Sequence, residues 1–342
     1  MRRIIKIILL ILLILFVIFF VYFFVGKAPR TKEIKWGVTF SKKHAQNFGL
    51  DWKETYSAIL DDLKVRNLRL IAYWDLIEPE QGNYNLEDLD WQIKQAGDRG
   101  VKIGLVMGMK VPRWPECHIP GWAKNLDKSG QQERILALIK EVVSRYKDSP
   151  AISYWQAENE PFFPFGTCPW YDLKFLKKEI SFVKSLDPLH RPIMVTESGE
   201  WSPWVLAGYY GDMVGTTMYQ KVYFSQLKTY VHYPIPPVFY WRKAQIVEKL
   251  FGKEVICIEL QAEPWGPKLL YDVPLEEQKK TMNLEQFRYN IEFAQKTGLK
   301  EFSFWGVEWW YWMRETQNKP EMWEAAKTLL ANSHARLPDG QE

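Results

Sequence analysis

The chain has 342 residues, 47% hydrophobic and 25% charged, which excludes a disordered chain and leaves room for one large domain with a sizeable core. The formal net charge of +4 misleads: residues 1–35 carry seven Lys/Arg (Arg2, Arg3, Lys6, Lys27, Arg30, Lys32, Lys35) against the single acid Glu33, which leaves −2 for everything after them. A folded part without basic excess argues against nucleic acid as a partner.

In chain order, the first element is an apolar run over residues 7–25, broken only by Tyr22. About 20 such residues cross a bilayer as a helix, and the run lacks the polar face that a core helix keeps. A signal peptide has an apolar region of about 7–15 residues before a small-x-small cleavage site. This run is longer, and Val25-Gly26-Lys27-Ala28 is a poor site. Residues 1–25 therefore read as a signal-anchor helix in the membrane and 26–35 as a tether. The N-terminus is expected inside and the following domain outside the cytoplasm, or secreted if the segment is cleaved.

Eight short apolar runs follow, at 37–40, 68–73, 101–107, 152–155, 193–196, 214–219, 255–258 and 302–305. Most are continuously apolar rather than alternating, as in parallel strands buried on both faces. Helical spacing separates them: Trp52, Tyr56, Ile59, Leu60 and Leu63, then Ile135, Leu138, Ile139, Val142, Val143 and Tyr146, then Phe287, Ile291 and Ala294. Gly100 and Gly298 punctuate helix exits. The alternation predicts an α/β fold, a (β/α)8 TIM barrel over residues 36–332, with a C-terminal tail at 333–342. A doubly wound open sheet is the alternative. No Gly-x-Gly-x-x-Gly follows a strand, and neither zinc spacing of Cys/His nor a phosphate loop occurs, so no cofactor and no metal is expected. Of three cysteines, Cys257 lies in an apolar run and reads as a buried thiol. Cys117 and Cys168 lie in Pro- and Trp-rich loops, either bridged outside the cytoplasm or left as two loop thiols.

A barrel carries its active site at the C-terminal ends of its strands. The second run ends in Arg69, Tyr73, Trp74 and Glu78-Pro79; Met109, Trp114 and His118 follow the third; Asn159 and Glu160 follow the fourth; Glu197 ends the fifth. Tyr219 ends the sixth, Glu259 the seventh, and Trp305 and Glu308 the eighth. Carboxylates can transfer protons and attack, aromatic faces can stack on sugar rings, and Asn and Arg can fix hydroxyls and hold charge. Glu78 reads as a loop cap, Glu158, Glu197 and Glu263 as solvated or structural acids, and His118 as incidental. Many of the 17 Trp fall in predicted loops, namely Trp114, Trp122, Trp170, Trp201, Trp204, Trp265, Trp309, Trp310 and Trp312. An exposed row of them would form an extended polysaccharide cleft, walled by residues 233–241 and favouring endo action.

These strand ends resemble clan A of the glycoside hydrolases, the barrel enzymes that retain anomeric configuration. The resemblance covers roughly residues 36–330 and rests on Leu68-Arg69-Leu70, Trp74-x-x-x-Glu78-Pro79 with Gly82-x-Tyr84, Asn159-Glu160-Pro161 and Ile258-Glu259. The pattern is most similar to families 39, 42 and 5, without singling one out. The resemblance implies a retaining O-glycosyl hydrolase acting on a poly- or oligosaccharide, with Glu160 as acid/base and Glu259 as nucleophile. It gives Asn159 the sugar 2-hydroxyl, Arg69 and Tyr219 the steadying of the nucleophile, and Trp305 the floor of the subsite for the cleaved sugar. Trp74, Trp114 and Trp265 are further candidate sugar contacts. The clan's histidine near the sixth strand is not evident, since Met218 and Tyr219 stand where His-x-Tyr would. A carbohydrate-binding barrel without catalysis and a transglycosidase are the alternatives. The expected partners are a carbohydrate and the membrane; the sequence carries no sign of an oligomeric state.

Overall fold

The eight apolar runs become eight parallel strands that close on themselves. The computed structural model describes residues 2–31 and 33–334. Its strands are β1 (Lys35–Thr39), β2 (Asn67–Ile71), β3 (Lys102–Met107), β4 (Ile152–Ala157), β5 (Ile193–Glu197), β6 (Met213–Met218), β7 (Lys221–Phe224), β8 (Thr229–His232), β9 (Val255–Gln261) and β10 (Glu301–Trp305). The barrel runs β1-β2-β3-β4-β5-β6-β9-β10 and returns to β1, while β7 and β8 form a separate antiparallel hairpin on the loop after β6. This is the (β/α)8 barrel expected from the alternation, with helices such as Trp52–Asp61, Lys128–Tyr146 and Leu284–Gln295 between strands. Asp51, Asp127, Asp172 and Asn283 cap helix N-termini through side-chain acceptors, satisfying amides the helix itself leaves unpaired.

Two apolar layers sort the strand residues. Leu68, Leu70, Trp155, Ala157, Cys257 and Leu260 pack outward in the main core against the helices. Tyr154, Met194, Ile256 and Ile258 form a smaller cluster on the other strand face, inside the barrel. Arg69, two residues along the strand from Ile71 and alternating with Leu68 and Leu70, shares that inner face. Gly104, opposite Tyr154 in the ladder, has no room for a side chain: a Cβ there would lie 1.9 Å from the Tyr154 ring.

Simple alternation along β9 would aim Glu259 outward, because Ile258 points in. Both neighbouring ladders slip at this point. On the β6 side Thr216 pairs Cys257 but Thr217 pairs Glu259, and on the β10 side Phe302 pairs Cys257 but Phe304 pairs Leu260. The irregularity places one extra residue in β9 and turns Glu259 back toward the inner face, a use to which bulges beside active sites are put.

The helix Arg2–Phe24 projects from the barrel, and Arg3–Phe24 is long and apolar enough to cross a membrane by length and composition. Its last turn packs on the helix Pro237–Phe251: Phe23 and Phe24 lie 5.7 and 5.3 Å from the Phe239 ring, and the Arg242 guanidinium lies 4.9 Å from the Tyr22 ring. The expected tether is strapped down as well. Thr31 N–H donates to Gln295 O, Lys35 N–H donates to Lys300 O, and Lys35 already belongs to β1. At the other end the helix Glu321–His334 runs past residue 332, and the expected tail lies outside the described residues from 335 on.

Cys117 and Cys168 are bridged, tying the loop after β3 to the loop after β4, whereas Cys257 is a buried free thiol. The bridge closes a separation of 51 residues. Loop-closure entropy makes such a cross-link worth about 2–4 kcal/mol. Reduction, or Cys117→Ser with Cys168→Ser, is expected to lower unfolding stability by that amount, read from urea unfolding; coincident curves would contradict it.

Candidate active site

Arg69 is the hub. It is fully buried, and a buried guanidinium needs its donors matched. Nε donates to Gln156 Oε1 at 2.9 Å, Nη1 to Glu259 Oε1 at 2.9 Å, and Nη2 to Asn159 Oδ1 at 2.8 Å. One rigid fork thus fixes the ends of β4 and β9 relative to each other. Tyr219 Oη donates to the second Glu259 oxygen at 3.0 Å. Glu259 is therefore buried as a paired anion whose charge is held by a cation and a hydroxyl.

Glu160 is set by the backbone. The chain leaves β4 with Glu158 at φ 58° and Glu160 at φ 43°, a left-handed region that ordinary side chains avoid and that recurs where function over-determines geometry. Three bonds hold it there: Glu160 N–H to Thr196 Oγ1 at 2.7 Å, Lys110 Nζ to Glu160 O at 2.9 Å, and Asn159 N–H to Lys110 O at 2.6 Å. Burial first, and then the charge of Glu259, push the Glu160 carboxyl well above the ordinary carboxylate range; Glu116 and Glu200 add to this and Lys110 opposes it. A carboxyl pushed up by burial, near one bonded to a guanidinium, is the electrostatic arrangement that splits two carboxyl groups into different roles.

A third acid escaped the sequence reading. Glu116 is buried, and its Oε2 accepts from Asn159 Nδ2 at 3.1 Å. Burial and then the Glu259 charge raise it to about 8, against Lys110, Asn159 and Arg69. The one cue in the sequence was its place beside Cys117 in the loop after β3. Arg113 in the same loop was also missed. It donates to Glu263 and, at 3.0 Å, to Glu308, while its guanidinium lies 3.8 Å over the Trp305 ring. His44 Nε2 lies 3.1 Å from Glu263 Oε2. The grouped His44, Glu263 and Glu308 thus have Arg113 as their counter-cation, and Glu263 is a buried ion-paired acid.

The other predicted residues divide. Trp305 is buried with one face under Arg113, beside Tyr219, Val222, Tyr233 and Trp265. Trp114 is 52% exposed and begins an aromatic arc: Phe165 lies 6.1 Å from it, Trp265 lies 6.0 Å from Phe165, and Tyr219 lies 5.1 Å from Trp265. Trp74 does not join them. It is fully buried, donates Nε1–H to Glu78 Oε2 at 2.8 Å and packs edge-on to Trp122, so it offers no face to a sugar. Glu78 organises its loop through Arg134, Trp74 and the Gly82 amide, and Glu197 caps the helix Val205–Tyr210 through the Trp204 and Ala207 amides. His118 is held to about 4 by burial and then Lys43, and its ring abuts Tyr73. Met218, where a histidine was sought, points into the outer core.

The expected row of exposed tryptophans is shorter than foreseen. Trp204, Trp309 and Trp310 are buried by packing against helices, and Trp122 and Trp170 are half-buried with their N–H groups bonded to Glu78 O and Gln131 Oε1. Trp201 is 60% exposed and lies 5.9 Å from Tyr233. The rest of the expected wall is mostly the helix Pro237–Phe251.

No family model matches the chain. Among curated proteins, 145 residues are 24% identical to beta-galactosidase Bga of Halorubrum lacusprofundi, covering 37% of this chain and 20% of that protein. Another 128 residues are 32% identical to mannan endo-1,4-beta-mannosidase F of Aspergillus clavatus, covering 35% of this chain and 28% of that one. The chain thus spans less than a third of the length of either. In fold it is similar to a GH5_18 enzyme of Bifidobacterium longum subsp. longum (TM-score 0.61, 14% identity, 91% of this chain and 82% of that one). It is also similar to xylanase 10B of Thermotoga petrophila (TM-score 0.55, 16% identity, 90% and 98%). All of these are glycoside hydrolases of clan A, the group whose motifs the sequence carries, and they do not single out one family within it.

Proposed function

We propose that this barrel is a retaining glycoside hydrolase, anchored in a membrane by its N-terminal helix, that cleaves a polysaccharide outside the cytoplasm. The observation that carries the reading is the unequal acid pair. Glu259 is bonded by the Arg69 guanidinium and the Tyr219 hydroxyl, and burial and then the Glu259 charge push the Glu160 carboxyl well above the ordinary carboxylate range. Proton donation and nucleophilic attack at one sugar need this division. In the first step a Glu259 oxygen bonds to the anomeric carbon as the carbon–oxygen bond to the leaving sugar breaks, and Glu160 gives that oxygen its proton. Forming the ester removes the charge of Glu259. The Glu160 carboxyl then loses one of the influences that raised it and can take a proton from water. Water attacks the same carbon, the ester bond breaks, and both carboxyl groups return to their starting states.

The disulfide supports an oxidising compartment for the domain, and the apolar side chains of the N-terminal helix, exposed from Ile4 to Val21, support insertion in lipid. The arc from Trp114 to Trp265 supports a chain-like substrate over a single sugar.

Fluorinated glycosides that form a long-lived glycosyl-enzyme test the reading: peptide mapping should place the label on Glu259, and a label elsewhere overturns it. Proton NMR of the first-formed product should show the anomeric configuration of the substrate. Trp114→Ala is expected to raise KM for oligosaccharides roughly two- to tenfold, since an exposed aromatic contact contributes about 0.5–1.5 kcal/mol. Its kcat should hold; a fall in kcat with KM unmoved would place Trp114 in the chemistry rather than the cleft.

A further inference from the structure

Glu116 is a buried acid that double displacement does not use, and the fold goes to some length to place it. An isolated bridge between Lys110 and Cys117 folds its loop back, the Cys117–Cys168 bond clamps the residue after it, and its own backbone sits at φ 71°. Gly166 lets the facing loop close in: a Cβ there would lie 2.5 Å from the Glu116 Cβ. No cation among the described residues forms an ion pair with it.

Its position relative to Glu259 follows from Arg69. Glu259 and Asn159 sit on adjacent nitrogens of that one guanidinium, and Glu116 takes the other end of the Asn159 amide. Asn159 and Glu116 are thus joined to the attacking carboxylate through the neighbouring nitrogen of one guanidinium. The surroundings are rich in carboxyl groups. Glu259 acts on both Glu116 and Glu160, and Glu116 and Glu200 act on Glu160, with Lys110, Arg69 and Lys243 as the opposing charges. A buried carboxyl pushed up for want of a cation within ion-pair distance suits a ligand that brings its own.

We propose that Glu116 faces the ring carbon next to the anomeric centre and makes the site selective for a sugar with a free amino group there, so that the substrate is a polysaccharide containing 2-amino-2-deoxyhexose units. The inference rests on the glycosidase reading and narrows its substrate class. An ammonium at that carbon would oppose the positive charge that develops at the anomeric carbon; the same ammonium favours the ionised form of Glu116, and the carboxylate so formed offsets the repulsion. A hydroxyl gives Glu116 a hydrogen bond but no charge, and an N-acetyl group brings bulk and no charge.

The test uses the full chain in detergent with matched β-linked oligosaccharides, in gluco and galacto configuration, that differ only in a free amine, hydroxyl or acetamide at that carbon. Hydrogen bonds to charged groups are strong enough that kcat/KM should favour the amine by about tenfold or more. Glu116→Gln should bring the ratio toward unity, and Glu116→Asp should keep part of it. Equal or preferred cleavage of hydroxyl or acetamide sugars by the native chain, or a ratio that survives in Glu116→Gln, overturns the inference while leaving the glycosidase reading intact. Cleavage of none of them counts against both.

Discussion

Glu259→Gln is expected to lower kcat by a factor on the order of 10⁴–10⁶, the scale on which removal of a nucleophile registers. The protein should stay folded, because the amide oxygen still accepts from Arg69 Nη1 where Glu259 Oε1 did. Glu160→Gln should cost about 10²–10⁴, the usual worth of a positioned proton donor. Its loss should depend on the leaving group. A dinitrophenolate departs without a proton, so the first step survives and product appears as a burst followed by slow turnover. Native kcat/KM should fall on the alkaline side as Glu160 loses its proton, with a midpoint well above the ordinary carboxylate range because of burial and Glu259. Removing the charge of Glu259 removes one cause, so a carbon-13 titration of Glu160 should move down in Glu259→Gln. A titration that stays put would mean the two groups do not feel each other, and the proposed division of roles would go with it.

Arg113→Ala should be the most damaging single change to stability. Arg113 bonds both Glu263 and Glu308, and all three side chains are buried. Breaking one buried pair costs about 3–5 kcal/mol, and here two carboxylates lose their common cation, so at least about 5 kcal/mol is expected. Against the burial that would raise it, Arg113 and then His44 hold the Glu263 carboxyl at about 2, below its ordinary 4.5. A depressed carboxyl adds stability that is present above its unfolded value and lost as pH falls through its folded one. For Glu263 that window runs from about 4.5 down to about 2, and the linked contribution is about 3 kcal/mol. The gap between native and variant protein should therefore narrow as pH is lowered from 7 toward 3, read from urea unfolding at each pH. A gap that does not change with pH would mean Glu263 is not held down by Arg113. The Trp305 face, no longer covered by the guanidinium, should report the same loss through its fluorescence.

The barrel and half of its site were legible in the chain because the signals are local. Continuous apolar runs mark strands buried on both faces, and helical spacing marks what lies between them. Asn159-Glu160 and Glu259 each end such a run, so their place at the strand ends followed from the order of elements alone. The apolar length of the N-terminal helix was equally plain. What the sequence hides are choices made between distant segments. Arg113 meets Glu263 across 150 residues and Glu308 across 195, and Glu116 meets Asn159 across 43. Nothing local distinguishes these acids from solvated ones, and Glu263 read as either. Trp74, Trp204, Trp309 and Trp310 looked like cleft residues until helix packing buried them.

Even Glu259 was only half determined. Its sequence position put it at the rim, but strict alternation after Ile258 would have turned it toward the helices. The extra residue in β9, visible only against the ladders of β6 and β10, turned it to Arg69. The amino-acid order thus determined the barrel and which acids reach its mouth, since periodicity and burial act along the chain. Only the tertiary structure decided which of them face one another and which are neutralised, because charge and pleat register are settled between strands rather than within them.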